Sequence, residues 1–190
     1  MVFEEDSRLA RKILNGDRQA FEALLDRFER PIYSFIYHFF RERALCEDLT
    51  QETFLRAYRF IGSFRPEEKL STWLYSIAKN LCIDEFRRRK KAPTVDIEEV
   101  DSDILGANGP EGGDPEIAAI DAEQGEILRD LILRLPEKYR TCIILFYFND
   151  LSYEEISEIM KISLNNTKII LFRGKRMLLD LLRRETSGKV

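Results

Sequence analysis

The sequence predicts an all-α protein made of two small helical domains joined by an acidic flexible linker. Apolar residues recur at steps of three and four on both sides of a central segment, as amphipathic helices require. Strand-like alternation is absent, and the central segment has the composition of a linker. We expect the first domain over residues 1–92, the linker over 93–116 and the second domain over 117–190.

The main apolar stripe of the first domain runs from Phe21 to Phe39 with helical spacing. Gly16 followed by Asp17 predicts a helix stop and then the N-cap of this helix. Pro31 falls inside the stripe, so we expect a kink or break near residues 27–31. The reason is that proline lacks the backbone N–H and its ring crowds the preceding turn.

Two more helices are expected in the first domain, over about residues 45–61 and 70–91. Ser71 or Thr72 is the expected N-cap of the later helix, because short hydroxyl side chains satisfy the free N–H groups of a first turn. That helix ends in the basic run RRRKK at residues 87–91. These basic side chains would either face phosphates or only interact favourably with the negative end of the helix dipole.

The linker separates two basic pieces. Between Ala92 and Leu128 there are eleven acidic residues and no Lys or Arg, and residues 92–116 carry three Pro and four Gly. Setting those eleven aside leaves 23 acids against 30 bases, so a chain of net charge −4 carries +7 outside this segment. Basic faces favour a polyanionic partner, although solvated helix surfaces would give the same composition.

The second domain has the layout of a helix-turn-helix. Helices over about residues 117–134 and 136–148 precede a turn, and Ser152 with Glu155 forms a capping box before a short helix over 153–160. Ser163 caps a longer basic helix over about 164–184, whose apolar positions include Phe172. A short helix, a tight turn and a longer basic helix are typical of major-groove binding. A generic helical hairpin with a basic face is the alternative.

Composition argues against several classes of protein. The single histidine, His38, excludes multi-histidine metal sites, and the three cysteines form no C-x-x-C pair and are expected to be buried free thiols. No nucleotide-binding glycine motif is present. No apolar run approaches the roughly 20 residues of a membrane span, and the acidic start differs from a secretory signal. We therefore expect a cytoplasmic protein that is not an enzyme, has no cofactor and does not insert into membranes.

Two pairs of motifs carry a family resemblance. The first domain contains DLTQETFLRAY at residues 48–58 and STWLYSIAKN at 71–80. The second contains LPEKYR at 135–140 and LSYEEI at 151–156. Together they resemble domains 2 and 4 of the sigma-70 family, in its extracytoplasmic-function class. The resemblance implies an alternative sigma factor that binds RNA polymerase core and directs initiation at selected promoters.

The resemblance also assigns surfaces of the first domain. It implies docking on the β′ clamp helices by one face of the 45–61 helix, where Asp48, Gln51 and Glu52 stand at i, i+3 and i+4 with Arg56 beyond. It implies capture of the melted minus-ten element by the following helix, where Trp73 could instead belong to the core. The residues expected to contact minus-ten DNA are Lys69, Ser71, Thr72, Trp73, Tyr75, Ser76, Lys79 and Asn80.

In the second domain the resemblance implies minus-35 DNA binding and contact with the β flap. The chain departs from the family at the turn, where Lys161 replaces the usual Gly, and at Ile169 and Ile170, which replace Ser-Arg. Asn165 and Asn166 could read adenine edges instead. The residues expected to contact minus-35 DNA are Tyr153, Ser163, Asn165, Asn166, Thr167, Lys168, Arg173, Lys175 and Arg176.

The resemblance further implies an anti-sigma factor as a partner, and a linker that threads through the polymerase toward its active site. Its eleven acidic residues, with no Lys or Arg among them, would then mimic nucleic acid along the basic walls of the channel. The alternative is a passive, soluble tether. Two rival functions remain. One is a stand-alone helix-turn-helix regulator, which leaves the first domain without a role. The other is a polymerase-binding adaptor that does not recognise promoters.

Overall fold

The computed structural model describes residues 2–90 and 122–187, and these are entirely helical apart from turns and short connections. The chain divides after residue 92 into two compact units, which are treated separately below. The all-α prediction is confirmed. The linker at residues 93–116 and its proposed role lie outside the described residues, as does the expected start of the second domain at residue 117. Within the described part, no helix is long and apolar enough to cross a membrane.

The first unit contains four α-helices, α1 (Val2–Leu14), α2 (Arg18–Phe40), α3 (Arg43–Phe60) and α4 (Leu70–Lys90), with a 3₁₀ turn at Ile61–Ser63. Its core consists of apolar side chains from every helix, and α2, α3 and α4 pack against one another. The predicted stop and cap before α2 are confirmed. Gly16 has a φ of 82°, and the Asp17 carboxylate accepts a hydrogen bond from the Ala20 N–H at 3.1 Å.

Pro31 does not break α2, so of the expected kink or break near residues 27–31 the break is wrong. The helix continues from Arg18 to Phe40 with Pro31 exposed on its outer side. Phe28 and Ile32, on either side of the proline, are both buried in the core. We attribute the continuity to this packing, which offsets the single backbone hydrogen bond that a proline removes.

The second unit contains α5 (Ala122–Arg134), α6 (Glu137–Tyr147), α7 (Tyr153–Met160) and α8 (Leu164–Ser187). The long helix α8 packs on both α5 and α6. The bend between α5 and α6 is held by Arg140, which is 1% exposed. Its guanidinium donates to the backbone carbonyl oxygens of Ile132 at 3.3 Å and of Leu133 and Leu135 at 2.7 Å each. Burial lowers the pKa of Arg140 to about 10, which still leaves it charged at neutral pH.

The three cysteines are buried free thiols, as expected. Burial raises the pKa of Cys46 to about 11 and that of Cys82 well above its ordinary value. A raised pKa keeps both in the unreactive thiol form at neutral pH. The three thiols therefore behave as small core residues.

Candidate nucleic-acid interface

The outer face of α3 is polar and lies opposite its buried side. Asp48 and Gln51 are exposed, and Glu52 and Arg56 are partly exposed. Arg56 Nε lies 2.7 Å from Glu52 Oε1, an i, i+4 ion pair that fixes both side chains along the helix. The buried side consists of Cys46, Thr50, Thr53, Phe54 and Ala57.

Two apolar side chains on α3 were not foreseen as part of this surface. Leu55 is 52% exposed, one turn after Gln51. Tyr58 is also 52% exposed, and its ring packs edge to face with Phe21 at 5.1 Å between centroids. The signal for Leu55 was available in the sequence, because it stands at i+3 and i+4 from Glu52 and Gln51. We refer to Asp48, Gln51, Glu52, Leu55 and Arg56 as the α3 face.

The exposed side of α4 carries a row of residues of the type that contacts a single strand. Trp73, Ser76 and Asn80 are separated by three and four positions and therefore share one side of the helix, and Arg87 continues it seven residues later. Asn80 and Arg87 are exposed, and Trp73 is partly buried with its ring edge against Phe64 at 5.8 Å between centroids. We refer to these four residues as the α4 face.

The other residues predicted to contact minus-ten DNA lie beside or beneath this face. Thr72 and Tyr75 are 4% exposed, and Tyr75 packs edge-on against Phe35 at 5.5 Å. These two side chains therefore support the α4 face from inside and do not form it. Lys69 and Ser71 are partly exposed at the start of α4, and Lys79 precedes Asn80 in its third turn. Their contacts with DNA stay predictions.

Ser71 and Thr72 do not cap α4, which begins one residue earlier at Leu70. The oxygen that accepts the Leu70 N–H belongs to Asp6, at 2.8 Å. Ser71 and Thr72 thus lie within the first helical turn. A hydroxyl is a good cap only where the chain enters the helix, and a residue 64 positions away along the sequence takes that role here.

The basic end of α4 is partly neutralised within the first unit. Arg88 and Arg89 pair with Glu85 at 2.8 and 2.6 Å, and Arg89 also pairs with Glu42 at 3.0 Å. Burial opposes the ionisation of Glu85, but the hydrogen bonds from Arg89 and Arg88 outweigh it and lower the pKa of this carboxyl group. Arg87 is exposed, and Arg88 and Arg89 belong to an ion-pair network with Glu85 and Glu42.

In the second unit, α7 and α8 follow one another across a tight turn, which is the order of a helix-turn-helix. The capping box is confirmed, because Glu155 N–H donates to Ser152 Oγ at 3.2 Å and Ser152 N–H donates to Glu155 Oε2 at 2.9 Å. Ser163 caps α8 by accepting from the Asn166 N–H at 3.2 Å. Lys161 has a φ of 55°, the left-handed conformation that the usual glycine would adopt, and Ile162 N–H bonds back to the Ser157 carbonyl at 3.1 Å.

The exposed side of α8 carries Asn165, Lys168, Phe172 and Arg176, spaced by three and four residues. We refer to these four residues as the α8 face. Phe172, one of the apolar positions of this helix, is 43% exposed. Thr167, predicted to contact DNA, is fully buried, and its hydroxyl donates to the Ser163 carbonyl at 3.2 Å.

The remaining residues predicted for minus-35 DNA flank the α8 face. Lys168 Nζ lies 5.9 Å from the centre of the Tyr153 ring, which stacks on Phe146 at 5.1 Å with the planes 1° apart. The Tyr153 ring thus connects α7 to the base of the α8 face. Asn166, Arg173 and Lys175 are partly exposed on its sides. Cationic and amide side chains in this arrangement suit phosphates and base edges.

No metal site is indicated in the part of the chain that the structure describes. Over residues 2–90 and 122–187, no group of three or more His, Cys, Asp or Glu side chains is arranged to hold an ion. The described residues carry the three faces defined above, two on adjacent helices of the first unit and one on the helix-turn-helix.

Comparison with known families and proteins agrees with both units. The family models described as Sigma-70 region 2 and Sigma-70, region 4 match residues 24–92 and 125–178. The chain is 37% identical to the ECF RNA polymerase sigma factor SigW of Bacillus subtilis, over 91% of this chain and 94% of that protein. It is 34% identical to SigM of the same organism, over 83% of this chain and 91% of that protein. It is 30% identical to the sigma-H factor of Pseudomonas aeruginosa, over 90% of this chain and 91% of that protein.

Solved structures share the fold. The structure of CnrH in complex with the cytosolic domain of CnrY gives a TM-score of 0.69 at 20% identity, covering 94% of this chain and 97% of that one. The sigma factor RpoE in complex with the anti-sigma factor NepR, from Bartonella quintana, gives 0.61 at 22% identity, covering 86% and 96%. At these identities the likeness concerns architecture alone.

Proposed function

This chain belongs to the extracytoplasmic-function class of the sigma-70 family, and we propose that it docks on RNA polymerase core through the α3 face, opens promoters through the α4 face and binds the minus-35 element through the α8 face. It is an alternative sigma factor. Catalysis belongs to the polymerase in this proposal, and the chain itself is not an enzyme. Its place of action is the cytoplasm, where polymerase meets DNA.

The observation that carries the proposal is the arrangement of two faces on adjacent helices of the first unit. Helices α3 and α4 pack together through their buried sides, while Asp48 and Gln51 on α3 and Asn80 on α4 remain exposed. A rigid pair of this kind would place a DNA-capturing surface at a fixed position relative to the polymerase. The α3 face that would contact the β′ clamp helices carries acidic, amide and apolar groups together with Arg56, which pairs with Glu52. A basic amphipathic helix suits its acidic and apolar groups as a partner.

Strand capture on the α4 face follows from its chemistry. Separating two DNA strands without ATP requires that unstacked bases gain contacts elsewhere, and an aromatic ring with flanking polar groups provides them. Trp73 provides the ring, Asn80 an amide for base edges and Arg87 a cation for phosphate. The domain roles follow: residues 1–92 for core binding and minus-ten DNA, 93–116 as connector and 117–190 for minus-35 DNA and the β flap.

An anti-sigma factor is part of the proposal because two solved relatives of like fold were determined in such complexes or with a cytosolic partner domain. A factor of this kind would act by covering one of the faces defined above. The exposed Leu55 and Phe172 are suited to such contacts, because exposed apolar side chains within polar surfaces are typical of protein interfaces.

Run-off transcription with purified polymerase core tests the proposed function. Promoters are first selected from random duplex DNA by the reconstituted holoenzyme. We expect the chain plus core to transcribe the selected duplexes and core alone to fail. A helix-turn-helix regulator would bind DNA without core and leave core inactive, and an adaptor would bind core without selecting any sequence. Either result would overturn the proposal.

A further inference from the structure

A buried carboxylate in α1 connects three helices of the first unit. Asp6 is 1% exposed, and its Oδ2 accepts the Leu70 N–H at 2.8 Å while its Oδ1 accepts from Arg27 Nη1 at 3.2 Å. Leu70 is the first residue of α4, and Arg27 belongs to α2. The first turn of α4 is therefore held by a side chain that lies outside the residues matched by the Sigma-70 region 2 model.

The next residue of α1 holds the segment that leads into α4. Ser7 is 6% exposed, and its hydroxyl lies 3.4 Å from the Pro66 carbonyl oxygen, to which it donates. In the same segment, Phe64 contacts the Trp73 ring. Helix α1 thus fixes both the approach to α4 and its first hydrogen-bonding group, directly beside the ring at the start of the α4 face.

The physical effect of such a contact is local order. The first N–H groups of a helix have no partner within it, and a negative charge at that end also complements the helix dipole. Because Asp6 is buried, water cannot readily replace its carboxylate after a substitution. Without it, the first turn of α4 would fray and Trp73 would lose its fixed position. The first turn of α4 would then have to become ordered while it captures an unstacked base, which would make promoter opening less favourable.

We propose that Asp6 is a positioning residue for promoter opening, acting through the first turn of α4 and not by touching DNA. This inference rests on the proposed function, since it assumes that the α4 face captures the opened strand. It predicts that Asp6 matters for strand separation far more than for core binding or for initial attachment to the duplex.

The test compares Asp6→Ala with Asp17→Ala in the full chain assembled with core. Asp17 is a matched control, because it also caps a helix of the first unit, accepting from the Ala20 N–H at 3.1 Å, but the helix is α2. Opening is measured by permanganate reactivity of unpaired thymines in a selected promoter. We expect about a tenfold loss for Asp6→Ala, consistent with the loss of a helix cap. Asp17→Ala should open the promoter to within about twofold of the extent reached by the original chain.

A pre-melted promoter, with a non-complementary minus-ten region, separates positioning from general damage. Transcription from it should return to within about twofold for Asp6→Ala, and affinity for core should change by no more than about twofold. If Asp6→Ala fails to fold, Asp6→Asn gives the test, because its amide oxygen can still accept from Leu70. We expect Asp6→Asn to open promoters to an extent between those of Asp6→Ala and Asp17→Ala.

Normal opening by Asp6→Ala or by Asp6→Asn, an equal loss in Asp17→Ala, or no recovery on the pre-melted promoter would overturn the role of Asp6. Failure of the unmodified chain to open any promoter would instead overturn the proposed function. The two failures are therefore distinguishable within one experiment.

Discussion

The guanidinium of Arg140 donates a 2.7 Å hydrogen bond to the backbone carbonyl oxygen of Leu135, five residues earlier. Together with bonds to the carbonyls of Ile132 and Leu133, it satisfies the end of α5 and sets the bend into α6. The end of a helix leaves carbonyl groups without partners, and here one buried cation supplies the missing donors. The bend positions α6, against which the helix-turn-helix helix α8 packs.

Replacing Arg140 with Ala should destabilise the second unit by about 3 kcal/mol, because buried carbonyls lose their donors and a cavity remains. Hydrogen–deuterium exchange over residues 122–187 measures the change locally. Arg134→Ala is the control, since Arg134 pairs with Glu185 at the surface, where ion pairs contribute at most about 1 kcal/mol. Equal exchange in both variants would show that Arg140 does not hold the bend.

Lys161→Gly should stabilise the helix-turn-helix by about 1 kcal/mol. Lys161 adopts a φ of 55°, which costs a residue with a side chain roughly this amount and costs glycine almost nothing. The expected rise in melting temperature is about 4–8 °C for a unit of this size. Lys161→Ala removes the same charge without relieving the backbone, so it should give no rise. A fall in stability with Gly would contradict the turn geometry.

The α3 face is tested by charge reversal. Asp48→Lys combined with Glu52→Lys should weaken binding to polymerase core at least about tenfold, because acidic groups that face a basic partner are replaced by repelling ones. Glu22→Lys, an exposed acid on α2, reverses charge elsewhere in the same unit and should leave affinity unchanged. Substitutions at such exposed positions change stability by about 0.5 kcal/mol at most. Unchanged affinity in the double variant would remove α3 from the interface.

The α8 face should show two kinds of contact. Lys168→Ala and Arg176→Ala should each lower the slope of log affinity against log salt by about one, as expected when a phosphate contact is lost. Phe172→Ala should weaken binding to the minus-35 duplex without changing that slope, because an apolar contact releases no counterions. Fluorescence anisotropy at several salt concentrations measures both. A reduced slope for Phe172→Ala, or an unchanged one for Lys168→Ala, would contradict the assigned face.

Local rules predicted much of this structure from the sequence. The capping box at Ser152 and Glu155 and the stop at Gly16 depend on neighbouring residues, and the structure confirms both. The predicted bounds of α3 and α4 differ from the observed ones by at most two residues. The helix-turn-helix also formed without its usual glycine, because Lys161 accepts the left-handed conformation.

What failed depends on contacts between distant residues. No rule of spacing could have paired Asp6 with Leu70, so Ser71 and Thr72 were the better local candidates for a cap. Periodicity also indicates which residues share a side of a helix but not how deeply each is buried. Tyr75 and Thr167 therefore looked available to DNA until the packing of the neighbouring helices was known.

We expect this chain to make polymerase core open a promoter, and permanganate footprinting of a selected duplex measures that opening. Thymines in the minus-ten region should become reactive with chain plus core and with neither alone. Asn80→Ala should lower this reactivity about tenfold while attachment to the closed duplex is retained. Protection of the duplex by the chain without any reactive thymine, or full reactivity in Asn80→Ala, would contradict it.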